Sequence, residues 1–347
     1  MPTLLYLKLR LQAILFRSLT SLVGILDRHL STPLPAPVAF RRKIPAAVGK
    51  TGGSINLLFY TPKSYRSRPW SATNASAGQF KGYPVVINFH GSGFCVSNAK
   101  DDARWSAAVV EHGHYLKDAV VVSVEYRLAP EYPFPTAIED CVSAVLYIWS
   151  HAEELGLDAA RTAFSGFSAG GNLTYTTAIR LHEELLSQGA AETQAGVSAG
   201  KLMALASFYP SVDWTKSRAE RDASNPNLIS AIPPLMYRFF DSSYLAPKPD
   251  MKSPLLSPGL APDQLLLDAL PDNMILITCG GDQLLVEAET LRKRLRELGK
   301  RVDGYTVEGA PHAWDKRPTF RKGNESRDKA YELVVRRLQE LWGMETA

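Results

Sequence analysis

Hydrophobic positions along this chain fall into two regimes. Within the first thirty residues, Leu4, Leu7, Leu11, Ile14, Leu15, Leu19, Leu22, Ile25 and Leu26 recur at helical spacing, interrupted by Lys8, Arg10, Gln12, Arg17 and Ser21. That periodicity predicts an amphipathic helix. From Val85 onward the pattern changes to short apolar runs separated by longer helical stretches. Val85–Phe89, Val120–Val124, Thr162–Ser165, Met203–Tyr209 and Met274–Cys279 read as strands, with Val302–Val307 a weaker last one and Ile55–Tyr60 an earlier one. Runs apolar on both faces are what a buried parallel sheet requires. The stretches 102–114, 136–154, 170–186, 284–298 and 328–342 read as the intervening helices. Strand–helix alternation of this kind predicts an α/β fold with helices on both faces of an open sheet.

Three segments break the alternation. The Pro-rich stretch Ser31–Pro45 reads as a connection, and 62–83, rich in Ser, Pro, Gly and Ala, as a surface loop. Residues 213–263 are rich in Pro, Ser and aromatics, among them Trp214, Tyr237, Phe239, Phe240 and Tyr244. They are expected to form a helical excursion above the sheet. The expected organisation is therefore an N-terminal helical cap segment and linker, 1–50, and an α/β domain, 51–347, carrying 213–263 as a cap insertion.

Composition narrows the function. A chain of 347 residues with 45% hydrophobic and 21% charged residues buries a large core, and a net charge of +4 without a basic–aromatic tract argues against nucleic acid as a partner. The cysteines Cys95, Cys141 and Cys279 form no metal-spaced pair and no disulfide framework, which fits a reducing compartment such as the cytoplasm. The N-terminal helix has two readings. It packs on the protein's own body, or it touches a membrane surface, since no acidic residue precedes Asp27. Asn74, Asn172 and Asn324 begin Asn-x-Ser/Thr triplets and are read as chance matches. Oligomeric state leaves no sign in the sequence.

The chemistry centres on Gly166-Phe167-Ser168-Ala169-Gly170, between a strand-like and a helix-like run. Small residues on both sides of a serine permit a sharp strand-to-helix turn that exposes the hydroxyl as a nucleophile. Such a serine needs a base and an orienting acid, in the chain order Ser, Asp or Glu, His. Beyond Ser168 lie only His182, inside the following helix, and His312, in a loop after the last strand, so His312 is the candidate base. Asp282, just after Met274–Cys279, is the candidate acid. Glu287 is the fallback, expected to face solvent, and Asp272 would lie at the wrong edge of the sheet. An oxyanion needs preorganised N–H donors. The amide of Ala169 is one candidate, and the Gly91-Ser92-Gly93 loop after the strand ending at Phe89 holds the others, with Ser92 and Gly93 favoured.

These motifs together resemble the hormone-sensitive-lipase-like branch of the α/β-hydrolases, which includes carboxylesterases and arylacetamide deacetylases. Its His-Gly-Gly-Gly loop is matched by His90-Gly91-Ser92-Gly93, and its Gly-Asp-Ser-Ala-Gly-Gly elbow by Gly166–Gly171. A third segment, Tyr126–Pro135 with Ala137–Cys141 following, is similar too. The resemblance covers about Val85 to Trp342. It implies an α/β-hydrolase fold with a mostly parallel central sheet and a helical cap, hydrolysis of a small-molecule carboxylic ester through an acyl-enzyme, and no cofactor or metal. A tailoring hydrolase, deacetylase or cyclase of secondary metabolism is the alternative. A silent small-molecule receptor is disfavoured because His312 is present. Two departures stand out: Ser92 replaces a glycine, and Phe167 replaces the usual aspartate. Arg127 and Glu131 are expected to pair, and Cys95 to be buried and inert.

Overall fold

The computed structural model describes residues 3–32, 34–65, 82–110, 119–189, 200–319 and 322–344. The end of the expected helix 102–114, most of the loop 62–83 and Asn74 lie outside the described residues.

The chain opens with helix α1 (Thr3–Leu30). A hairpin follows, β1 (Phe40–Pro45) and β2 (Ser54–Tyr60), then β3 (Tyr83–Phe89), α2 (Ala103–Val110), β4 (Val120–Glu125) and α3 (Thr136–Ser150). The second half runs β5 (Leu157–Phe167), α4 (Ala169–Gly189), β6 (Leu202–Phe208), α5 (Arg218–Ser224), α6 (Pro234–Tyr244) and α7 (Asp263–Ala269). It ends with β7 (Asn273–Cys279), α8 (Leu285–Glu297), β8 (Arg301–Asp303), β9 (Thr306–Val307) and α9 (Glu325–Leu341).

Among the described residues the strands join in the order β1-β2-β4-β3-β5-β6-β7-β8, with β9 also on β7. Pairing is antiparallel from β1 to β4 and parallel from there on. The two-residue period of the strands divides the core. Val85, Ile87, Val122 and Phe164 face a core closed by α3, α4 and α8, while Val86, Val121, Ala163 and Phe167 face one closed by α2 and α9. The mostly parallel sheet with helices on both faces is the architecture that the alternation predicts.

Three elements differ from expectation. Residues 40–45 form an edge strand within the stretch read as a connection. Its sequence Phe-Arg-Arg-Lys-Ile-Pro is too polar to look like a buried strand, and charge with a terminal proline is what an exposed edge tolerates. The last strand is split, because Gly304 (φ +105°) approaches the Leu276 carbonyl so closely that a Cβ would sit 2.1 Å from its oxygen. The 213–263 segment is less helical than expected. It holds two short helices, α5 and α6, and a single 3-10 turn at Pro258–Leu260, with proline-rich connections between them.

The end of α1 meets the segment that leads into α9. Ser31 Oγ accepts a hydrogen bond from the Thr319 amide at 2.8 Å, 288 residues apart in sequence.

Candidate active site

The elbow geometry follows from its glycines. Ser168 sits at φ +55°, a left-handed conformation that a side-chain-bearing residue adopts only under constraint. A Cβ on Gly166 would lie 2.1 Å from the Gly170 oxygen, and one on Gly170 would lie 1.8 Å from that of Phe89. Only glycine allows β3, β5 and α4 to come this close. The Ser168 amide donates to the Phe208 carbonyl at 2.9 Å, tying the turn to β6.

Ser168 Oγ lies 2.8 Å from His312 Nε2, and His312 Nδ1 lies 2.6 Å from Asp282 Oδ2. Both His312 and Asp282 are buried. The other Asp282 oxygen accepts from the Leu284 amide at 3.1 Å. Asn225 reaches down from above and donates to the carbonyls of Gly280 and Asp282, at 3.0 and 2.8 Å. Tyr209 meets the His312 ring edge-on at 5.0 Å. The structure therefore brings Ser168, His312 and Asp282 into one hydrogen-bonded chain. Asp272 is at the far end of β7, paired with Lys300 at 3.3 Å.

Glu287 is not on the surface, contrary to expectation. It is buried, 2.9 Å from Arg221, and accepts from the amides of Val212 and Asp213 at 2.7 and 3.3 Å. The positively charged partner comes from α5, which the helical period of α8 could not reveal. Burial pushes the Glu287 carboxyl above the ordinary glutamate value, with Arg221 and the two amides pulling it back.

The Gly91–Gly93 loop lies beside the elbow. A Cβ on Gly91 would stand 2.8 Å from the Phe167 oxygen, and Gly93 (φ +56°) presses against the Phe240 ring of α6. Ser92 is outside the left-handed region, so replacement of a glycine there costs no backbone strain. Its hydroxyl bonds Tyr126 at 2.7 Å and accepts from the Phe94 amide at 3.0 Å. Tyr126 in turn donates to the His90 carbonyl at 2.7 Å and stacks on the His90 ring at 4.2 Å. Burial lowers the His90 pKa to about 4, so this support under the loop is neutral. The amide of Ala169 opens α4, where no carbonyl one turn earlier is available to it and the helix dipole favours negative charge.

Phe167 has its own partners. It stacks on Phe208 at 4.4 Å, and Lys316 Nζ lies 3.3 Å from its ring centroid. Lys316 pairs with Asp102 at 2.8 Å and Asp315 at 3.2 Å. Burial works against the lysine's charge, but these carboxylates outweigh it and hold its pKa above the ordinary value.

One further expectation changes. Arg127 does not pair with Glu131. It binds Asp140 at 2.6 Å, while Glu131 takes Arg17 of α1 at 2.8 Å. Asp140 lies on the same segment as Arg127 and is fully buried, so it claims the guanidinium, which leaves Glu131 for a partner 114 residues away. Cys95 is buried, and burial raises its thiol pKa well above the ordinary value, as an inert cysteine requires.

A mostly apolar cavity of about 510 Å³ opens on Ser168 and His312, walled by Phe16, Leu19 and Val23 of α1 and by Met236 and Phe240 of α6. A second recess of about 50 Å³, on the Trp214 and Leu284 side, also reaches Ser168. No group of side chains able to hold a metal is found among the described residues.

The family model described as alpha/beta hydrolase fold matches residues 86–316. The chain belongs to the alpha/beta-hydrolase fold family. This hydrolase-fold chain is 30% identical over 232 residues, 66% of its length, to an arylesterase of Saccharolobus solfataricus, of which it covers 68%. It is 36% identical over 102 residues, 28% of its length, to the hormone-sensitive lipase of Homo sapiens, covering 9% of that protein. About two thirds or less of each relative's length is thus spanned. These likenesses place the hydrolase in the hormone-sensitive-lipase-like branch. Among solved structures, a fungal esterase from Rhizomucor miehei superposes with a TM-score of 0.72 at 24% identity, over 95% of this chain and 91% of that one. At that identity the likeness speaks for the fold alone.

The sequence pointed to Ser168, Asp282 and His312 through short local motifs. It did not point to Tyr209, Asn225 or Arg17, whose partners are remote in sequence. Tyr126 did leave a signal, as the first residue of a segment similar to the family's.

Proposed function

We propose that this chain is a serine carboxylic ester hydrolase. Ser168 attacks the ester carbonyl and His312 takes its proton. Asp282 orients the imidazole and stabilises the imidazolium. The amides of Ala169 and of the Gly91-Ser92-Gly93 loop receive the oxyanion. His312 then protonates the leaving alcohol, and a water deprotonated by His312 releases the acid from Ser168. The observation that carries this reading is the Ser168–His312–Asp282 chain of 2.8 and 2.6 Å contacts at a positive-φ elbow. Relatives named esterase and arylesterase support the reaction class. The large, mostly apolar cavity at Ser168 favours an ester with a sizeable apolar substituent.

The test is fluorophosphonate labelling together with hydrolysis of p-nitrophenyl acetate, butyrate, octanoate and palmitate by wild type and Ser168→Ala. Labelling at Ser168 and loss of hydrolysis in the variant are expected. A folded wild type that neither labels nor turns over any ester would end the proposal.

A further inference from the structure

Helix α1 is attached to the body along one side only. Leu9 and Ala13 are buried, and Phe16 meets Phe239 edge-on at 5.1 Å. Arg17 donates to the carbonyls of Cys95 and Ala129, at 2.9 and 2.8 Å, and pairs with Glu131, while Asp27 pairs with Arg104. The opposite side carries Leu4, Leu7, Leu11, Ile14, Leu15 and Leu22, between 52% and 81% exposed. An exposed apolar face of this extent marks an interaction surface.

Three observations choose its occupant. The first is shape. Leu5, Leu19, Val23 and Leu26 are exposed too, and at roughly 100° per residue the exposed apolar arc then covers about half of the circumference, wider than a two-stranded seam. Ser18 and Ser21 also interrupt the heptad columns of Leu4–Leu11–Ile25 and Leu7–Ile14, which disfavours a second copy. The second is charge. Lys8 is exposed on α1 and no acidic residue precedes Asp27, which suits anionic lipid, while Arg10 and Arg17 are turned to Glu131. The third is continuity. Leu19 and Val23 are exposed on α1 and also line the cavity that holds Ser168, so one apolar surface runs from the helix to the site.

We infer that α1 lies along an anionic lipid surface with its leucines in the acyl boundary, so that the mouth of the Ser168 cavity opens at that surface. Apolar esters dissolved in the lipid then reach the cavity without crossing water. The helix is long and apolar enough to cross a bilayer. Crossing, however, would carry Arg17 and Asp27 away from Glu131 and Arg104 and into hydrocarbon, so the docked, peripheral arrangement is the one assigned. This goes beyond the esterase reading, and its test is a binding measurement that does not need activity.

The experiment is flotation of the full chain with vesicles of equal parts phosphatidylcholine and phosphatidylglycerol, and with phosphatidylcholine alone. Wild type and Leu11→Glu/Leu15→Glu are compared, since both leucines point to solvent and lie outside the cavity wall. Wild type is expected to float with the anionic vesicles, more weakly with the neutral ones, and to be released by alkaline carbonate. The variant is expected to lose at least about a hundredfold in partitioning, since each leucine contributes about tenfold or more. Its melting temperature and its turnover of a water-soluble ester stay at wild-type values. Wild type remaining unbound, or the variant floating equally well, overturns the inference. So does retention after carbonate, which would mean that α1 spans. A dimer that the variant splits, with no flotation, would assign the face to a second copy.

Discussion

The buried pair of Arg221 and Glu287 supplies a sharp test of both the packing argument and the assignment of the acid. Consider Glu287→Gln. The amide oxygen still accepts from Val212 and Asp213, so the backbone remains satisfied. The amide nitrogen, however, now faces the Arg221 guanidinium, donor against donor, at what was a 2.9 Å ion pair. Both side chains are at most 3% exposed, so water cannot replace the lost carboxylate. An uncompensated buried charge costs about 3–5 kcal/mol. The folding equilibrium should therefore shift by roughly two to four orders of magnitude. Urea unfolding of the purified chain reads this directly, with the slope checked for constancy. Arg221→Met on top of Glu287→Gln removes the stranded charge and should recover more than half of the loss. Under conditions where Glu287→Gln is folded, kcat/KM should stay within about threefold of wild type, whereas Asp282→Asn should lose about 10³–10⁴-fold. A stability change under about 1 kcal/mol would show that the pair is not desolvated as argued. A folded Glu287→Gln without activity would transfer the acid's role away from Asp282.

Gly93→Ala must place a side chain at φ +56° against the Phe240 ring, at about 1–2 kcal/mol for the backbone alone. If its amide is an oxyanion donor, kcat for p-nitrophenyl butyrate should fall about a hundredfold with KM little changed. Unchanged kcat would remove Gly93 from that role. Phe167→Asp installs the family's usual residue, yet it should destabilise by about 3–5 kcal/mol. It deletes a buried ring stacked on Phe208 and adds a third carboxylate around Lys316, which thermal unfolding will register. Beside raised carboxylates such as Glu287, Asp101 and His90 act on the acid limb of stability in opposite senses. Burial and neighbouring Asp102 raise Asp101 to about 6 from 3.8, so its contribution is complete below pH 3.8 and lost as pH rises through 6. Burial lowers His90 to about 4 from 6.5, so the unfolded chain binds the extra proton and stability falls as pH drops from 6.5 to 4. Asp101→Asn removes only the first effect. Relative to wild type, the unfolding free energy of the variant should therefore fall on acidification between pH 6 and 3.8 by up to about 1.4 kcal/mol per pH unit. Parallel profiles would refute the pairing of these effects.

Local chemistry made much of this molecule legible. Val85–Phe89 and Val120–Val124 are apolar on both faces, which only a buried strand tolerates, and the glycines around Ser168 encode a turn that no other residue could make. What stayed hidden depends on partners chosen by the whole fold. The polar strand 40–45 exists because β2 offers it an edge. Gly304 breaks the last strand because Leu276 is there to meet it. Arg127, Glu131 and Glu287 look alike as charged residues on helix or loop. Nothing within a turn of any of them says that Arg127 will take Asp140, that Glu131 will wait for α1, or that Glu287 will be buried under α5.

The contact between Ser31 and Thr319 has a consequence in time. During synthesis α1 emerges long before Thr319, and the Ser31 hydrogen bond that completes its attachment needs a residue 288 positions later. At 5–20 residues per second the interval is roughly 15–60 seconds. The partners of Arg17 and Asp27, Glu131 and Arg104, are made well before Thr319, so the Ser31 end of α1 is the last part to gain its partner. If α1 docks on lipid as inferred, a bilayer competes with the unfinished domain for this helix during that interval.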